Sequence, residues 1–185
     1  PDGSYTPQLA RGLISVTIHE VGHNWFPMIV ATDERKWTWM DEGLNSFVQY
    51  YAEKDWDPAY PSQRGAGKNL IPYMKDPDQV PLMTESDYIH RQFGNNGYSK
   101  PAAGLVLLRE QVLGPELFDQ AFGSYSKRWM FKHPQPADFF RRVVDEERKR
   151  VKGVDRPIGN DRPGDEGNVS FPREGKVRHI RPERS

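Results

Sequence analysis

Apolar residues recur at helical spacing near the start of the chain, and the pattern predicts an amphipathic helix that ends at Pro27. The apolar positions of this helix are Leu13, Ile14, Val16, Ile18, Val21 and Trp25. Several are β-branched, so propensity alone would also allow a strand, but the length of the segment favours a helix. Residues 1–10 are mostly polar and are expected to form a turn.

A second helix is predicted over residues 41–54, after a connector at residues 28–40. Asp41 is a plausible N-cap for this helix. Its apolar positions again have helical spacing: Leu44, Phe47, Val48 and Tyr51. Residues 55–97 are rich in Pro, Gly, Asp and Asn and are expected to form long loops with short elements. Loops of this length inside a compact domain are often functional.

Three further helices are predicted, at residues 98–113, at about 115–131, and from Pro136 onwards. The sequence therefore predicts a mainly α fold. After Val144 the composition changes to charged residues with many Gly and Pro. Because residues 146–185 offer too little apolar surface to offset the entropy of the chain, we expect them to be a disordered tail. Residues 1–145 form the predicted folded domain.

Charge and cysteine content narrow the possible functions. The chain has 26 basic and 26 acidic residues, so it lacks the basic excess of a nucleic-acid surface. It has no cysteine, so any metal ligand must be His, Asp or Glu. No apolar run reaches membrane-spanning length, and Pro1 to Ser4 do not begin a signal peptide. The absence of cysteine does not indicate a compartment, which stays unknown.

The segment His19-Glu20-Val21-Gly22-His23 contains two histidines four residues apart. On a helix, this spacing places both imidazoles on one face, where they can bind one ion at about 2.0–2.1 Å. Glu20 follows His19 directly, so its carboxylate can lie beside the ion without being a ligand. That is the position of a general base that takes a proton from water.

A third ligand is expected on a neighbouring element, because catalytic zinc has three protein ligands and one open position. Glu42 meets this expectation, and eighteen residues separate it from His23. The complete pattern would occur by chance in about one in two thousand sequences of this composition. One alternative is a pair of helix histidines with ordinary hydrogen bonds. Another is a structural zinc site, which would be closed by a fourth protein ligand.

Residues 19–26 and 39–44 together resemble the aminopeptidase N-like family of gluzincin zinc metallopeptidases. The family pattern is HExxH, eighteen residues, and then Glu in an Asn-Glu-Gly-like triplet. Residues 97–100 are similar to the family's Tyr-x-Lys segment at the start of a helix. The resemblance implies part of a thermolysin-like catalytic domain and zinc-dependent hydrolysis of a peptide substrate, most often at its amino terminus.

The resemblance also implies roles for individual residues. His19, His23 and Glu42 match the ligands of one Zn²⁺ ion, and Glu20 matches the general base. Tyr98 matches the tyrosine that donates a hydrogen bond to the tetrahedral oxyanion. The residues alone do not distinguish Tyr98 from the other tyrosines, of which the chain has 8 in total.

The sequence departs from the family pattern at two positions near the predicted ligands. Asp41 stands where many relatives have Asn, and Gln49 stands where many have a Glu that orients a ligating His. Both are candidates for contacts with the ligands. The family's substrate-binding strand and β-rich domain lie upstream of HExxH, so we expect this chain to be a fragment that lacks an upstream domain. The alternatives are zinc binding without independent catalysis, and the epoxide opening catalysed by some relatives.

Overall fold

A computed structural model describes residues 4–152 of the chain, except for the side chains of residues 144 and 148–152. All regular elements within this part are helical, which confirms the predicted mainly α fold. The α-helices are α1 (Pro7–Gly22), α2 (Leu44–Trp56), α3 (Gly67–Met74), α4 (Lys100–Leu107), α5 (Pro115–Arg128) and α6 (Pro136–Lys152). None of the helices in this part is long and apolar enough to cross a bilayer.

Wider, π-type turns extend two of these helices. Trp39–Gly43 leads into α2, Asn95–Ser99 leads into α4, and Leu108–Leu113 continues α4 to Gly114. Such turns are rare in proteins and frequently lie at functional sites. The first of them carries Asp41 and Glu42, and the second carries Tyr98.

Helix α1 begins at Pro7, inside the segment for which the sequence predicts a turn. The Thr6 side chain accepts a hydrogen bond of 3.2 Å from the amide of Leu9, and Pro7 occupies the first helical position. Both features are typical helix starts, so the prediction of a turn is wrong for residues 7–10. The helix ends at Gly22, and a wide turn, Asn24–Ile29, follows it.

The prediction that Asp41 caps the second helix is also wrong. Helical backbone starts at Trp39, two residues earlier, so Asp41 lies inside the first turn. Its side chain is therefore not used as a cap and faces His23 on α1 instead.

A core of large apolar side chains lies among α2, α4, α5 and α6. Its residues include Phe26, Trp39, Met40, Leu44, Phe47, Leu105, Phe118, Tyr125 and Phe139. The face of α1 that packs on α2 carries the buried His19, whereas Leu13, Val16 and Val21 lie on the exposed side of the helix. Helix α1 therefore buries a polar side chain, His19, where it packs on α2.

Helix α6 continues past residue 145, where the sequence predicts the end of the folded domain. Glu146 is only 3% exposed and lies 3.6 Å from Arg142, one helical turn earlier, as an ion pair at i,i+4 spacing. Residues 146–152 thus belong to this helix. The rest of the predicted tail, residues 153–185, lies outside the described residues.

Candidate metal centre

His19, His23 and Glu42 bring three ligand atoms together between α1 and the start of α2. The Nε2 atoms of the two histidines are 3.1 Å apart. Glu42 Oε2 lies 3.0 Å from Nε2 of His19 and 3.3 Å from Nε2 of His23. Ligands of a tetrahedral ion with bonds of about 2.0–2.1 Å lie roughly 3.3 Å apart, so this triangle has the size that one such ion requires.

The hydrogen bonds on the far side of each ring determine where its proton lies. His23 Nδ1 is 2.8 Å from the carbonyl oxygen of Phe26. His19 Nδ1 is 2.8 Å from Oε1 of Gln49. Because both oxygens can only accept, each Nδ1 carries the proton and each Nε2 of a neutral ring is a lone pair. Three acceptors without a proton therefore face one another, and a cation between them would relieve their repulsion.

The orientation of the Gln49 amide is fixed by a buried carboxylate. Its Nε2 donates to Glu53 Oε1 over 2.7 Å and to the carbonyl of Ser15 over 3.3 Å, so the amide oxygen must point to His19. Glu53 is 2% exposed and also accepts a 2.7 Å hydrogen bond from Ser15 Oγ. Glu53 thus orients Gln49, and Gln49 orients His19. Glu53 is not among the residues predicted from the sequence, although its position four residues after Gln49 on α2 could have indicated the contact.

Asp41, the other candidate for a contact with the ligands, lies beside His23. Its Oδ1 is 3.2 Å from Nδ1 of that ring. This oxygen is buried and has no hydrogen-bond partner within the described residues, since the Nδ1 proton points to Phe26. Burial, together with the nearby charge of Glu42, raises the pKa of Asp41 to about 7. A cation in the cluster would favour the ionised form of this carboxyl group.

Tyr98 approaches the cluster from the turn before α4. Its hydroxyl donates to Glu42 Oε1 over 2.6 Å, while the other oxygen of the same carboxylate faces the histidines. Burial opposes ionisation of Glu42, but a hydrogen bond from the protonated form of His19 and the one from Tyr98 hold its pKa below the usual value. Burial also raises the pKa of Tyr98, and the hydrogen bond to Glu42 adds to this effect. Tyr98 therefore stays a proton donor at neutral pH.

Two glycines permit the close contacts that assemble the cluster. A Cβ atom at Gly22 would overlap the Asn45 amide oxygen, and the same amide donates to the His19 carbonyl over 2.8 Å. A Cβ atom at Gly43 would lie 2.5 Å from the Pro101 side chain, where the start of α4 packs on the turn that carries Glu42. Asn45, like Glu53, is not among the residues predicted from the sequence.

Glu20 lies at the edge of an open cleft of about 420 Å³, which is also lined by His19, His23, Glu42 and Tyr98. Its side chain is exposed. Among the described residues, no group forms a hydrogen bond or an ion pair with its carboxylate. The structure therefore brings all the predicted site residues to one place, with a free carboxylate beside the cluster.

Two histidines and a carboxylate that converge next to such a free carboxylate define the class of metal-dependent hydrolase sites. The sequence matches the peptidase family M1 domain over residues 2–156, and the chain belongs to this family. The family resemblance found in the sequence is thereby confirmed.

Curated relatives are aminopeptidases of much greater length. The chain is 28% identical to human glutamyl aminopeptidase over 150 residues, which are 76% of this chain and 15% of that protein. It is 30% identical to the Bos taurus glutamyl aminopeptidase over 164 residues, 83% of this chain and 17% of that one. Yeast (Saccharomyces cerevisiae) mitochondrial aminopeptidase 2 is 23% identical over 161 residues, which are 83% of this chain and 17% of that protein. No solved structure gives a significant match.

Proposed function

We propose that this chain carries the catalytic metal centre of a zinc-dependent aminopeptidase. One observation supports the proposal most directly. Three potential metal-ligand atoms, none of which carries a proton when the rings are neutral, converge on one point within a cleft that also holds Glu20. The names of the curated relatives described above, glutamyl aminopeptidase and aminopeptidase 2, support the choice of substrate class.

Zinc suits the donor set better than magnesium or calcium. Two imidazole nitrogens and one carboxylate oxygen are ligands of catalytic zinc, whereas magnesium and calcium prefer sets of oxygen atoms. Within the described residues the cluster contains three protein ligands, so a tetrahedral ion would keep one position open. This count favours a catalytic site over a structural one, which would have four.

When bound, zinc would polarise the peptide carbonyl and lower the pKa of water towards neutrality. The Glu20 carboxylate, which is unpaired in the cleft, takes the proton of the attacking water and passes it to the leaving amine. The Tyr98 hydroxyl, which now donates to Glu42 Oε1, donates to the oxygen that becomes negative. Gln49 and Phe26 keep the protons of His19 and His23 on Nδ1, away from the ion.

The proposal is tested by combining metal analysis with turnover measurements on the Glu20→Gln variant. We expect zinc content equal to that of the parent chain and a loss of turnover on aminoacyl p-nitroanilides of about 100-fold to 10,000-fold. Glu116→Gln, which changes an exposed glutamate at the start of α5, serves as the matched control and should leave both quantities unchanged. Hydrolysis by Glu20→Gln at the parent's rate would contradict the role of Glu20. Zinc binding by a parent chain that hydrolyses no peptide would support a non-catalytic zinc module.

A further inference from the structure

Arg64 places a positive charge in the same cleft. The residue lines the cleft together with Glu20, His19 and Tyr98. The central carbon of its guanidinium lies 4.1 Å from the centre of the Tyr98 ring, so the cation stacks on the tyrosine. It is the single lysine or arginine among the described residues that line this cleft.

The Arg64 guanidinium has no ion-pair or hydrogen-bond partner within the described part of the chain. Other arginines in this part do have acidic partners, as Arg109 has in Asp119 and Arg91 has in Asp78, each at 2.7 Å. Stacking on Tyr98 uses the face of the guanidinium and leaves the N–H groups at its edge free. A half-buried arginine in a cleft, with its donors unused, is arranged to bind an anionic group.

The loop before α3 holds Arg64 in this position. Gly65 has φ of +82°, and a Cβ atom there would lie 2.6 Å from the Tyr50 ring on α2, so another residue would be strained and would also clash. The side-chain amide of Asn69 donates to the carbonyls of Ser62 and Gln63, both over 3.1 Å. These contacts fix the loop on both sides of Arg64 and hold its guanidinium in the cleft.

We propose that Arg64 binds a carboxylate of the substrate and makes the enzyme favour peptides with an anionic group near the scissile bond. Arginine pairs with carboxylates through two parallel hydrogen bonds, and its neighbour Tyr98 reaches the metal cluster through Glu42. The inference rests on the proposed function, because the substrate must bind at the cluster. The carboxylate has two possible sources, which are an acidic side chain and the free carboxyl terminus of a short peptide.

Two pairs of substrates that differ only in charge separate these sources. Glutamyl p-nitroanilide and glutaminyl p-nitroanilide test the side chain, while alanyl-alanine and its carboxamide test the terminus. One of the two pairs contains the carboxylate that Arg64 binds. In that pair we expect kcat/KM of the charged substrate to exceed that of the neutral one by about tenfold to 100-fold. In Arg64→Gln the ratio should fall to about one, because the charged member loses its ionic contact. Arg64→Lys should keep part of the preference.

Arg35→Gln is the matched control, because Arg35 is exposed, pairs with Asp87 and does not line the cleft. It should leave both ratios unchanged. An equal loss for the charged and the neutral member in Arg64→Gln would mean that Arg64 only supports Tyr98, and would overturn the proposal. Equal kcat/KM within both pairs in the parent chain would overturn it as well, and would leave the proposed function intact.

A binding measurement makes the test independent of turnover. Calorimetric titration of the zinc-loaded Glu20→Gln variant, with and without Arg64→Gln, gives Kd for all four compounds. We expect the charged member of one pair to bind at least tenfold more tightly, and only when Arg64 is present. Equal Kd values within each pair would refute the role of Arg64 alone. If none of the four bound in a zinc-dependent manner, this inference and the proposed function would both be wrong.

Discussion

Exchanging Gln49 for glutamate tests how the structure positions His19. In the Gln49→Glu variant a second carboxylate would face Glu53 at the distance of the present 2.7 Å hydrogen bond, in a site where Glu53 is 2% exposed. Two negative charges about 3 Å apart repel each other by about 5 kcal/mol at an effective dielectric constant of about 20. The pair can avoid this repulsion by taking up a proton.

Proton uptake sets the size of the effect. Protonating a carboxyl group of ordinary pKa, about 4.3, costs about 3.5 kcal/mol at pH 7 and about 1 kcal/mol at pH 5. We therefore expect Gln49→Glu to lower the free energy of unfolding of the zinc-free chain by about 3 kcal/mol at pH 7 and by about 1 kcal/mol at pH 5. The sign follows from linkage, because the folded variant binds a proton that the unfolded chain releases, so its stability falls as the pH rises.

The double variant, Gln49→Glu with Glu53→Gln, should recover most of the lost free energy of unfolding. The introduced carboxylate can still accept from His19, and the introduced amide can donate to it. Urea unfolding at pH 5 and pH 7 measures both variants. Gln63→Glu is the matched control, since the side-chain amide of this exposed glutamine donates to the Pro61 carbonyl and faces no carboxylate among its described contacts. A Gln49→Glu chain as stable as the parent at pH 7 would refute the arrangement of Gln49 and Glu53.

Two further predictions concern residues that contact the ligands. In the zinc-free chain the raised pKa of Asp41, about 7, gives stability that is present at pH 4 and is lost as the pH rises through 7, so unfolding between pH 5 and pH 8 should be less pH-dependent in Asp41→Asn. The change in the free energy of unfolding between pH 5 and pH 8 should differ between the parent and Asp41→Asn by about 1–2 kcal/mol, because the carboxyl group is partly hydrated. Identical pH profiles would contradict this prediction. Tyr98→Phe should retain zinc and lose about 100-fold to 1,000-fold in kcat, and a loss seen only in KM would argue against its role at the oxyanion.

Sequence alone predicts the helices and the three-residue cluster because both depend on local spacing. His19 and His23 lie one helical turn apart in any α-helix, and Glu42 needs only to start the next helix to reach them. The errors at helix starts also have local causes. Thr6 begins α1 earlier than the apolar pattern suggests, and the wide turn before α2 moves the helix start from Asp41 to Trp39.

Arg64 and Tyr98 could not be placed by such reasoning. Arg64 enters the cleft because Gly65 packs on Tyr50, fifteen residues away, and this contact has no periodic signal. Tyr98 reaches Glu42 because Gly43 lets Pro101 approach, and the resemblance alone singled the tyrosine out. Loop positions of this kind depend on long-range packing, which a single sequence does not reveal.

The central claim is that His19, His23 and Glu42 hold one zinc ion. X-ray absorption of the purified chain, combined with its zinc content, tests this claim most directly. We expect one zinc per chain, with two imidazole nitrogens and a carboxylate oxygen at about 2.0–2.1 Å, and loss of the metal in both His23→Ala and Glu42→Ala. The control His133→Ala should keep the metal. A full zinc complement in His23→Ala or Glu42→Ala, or a zinc spectrum without imidazole ligands, would contradict the account.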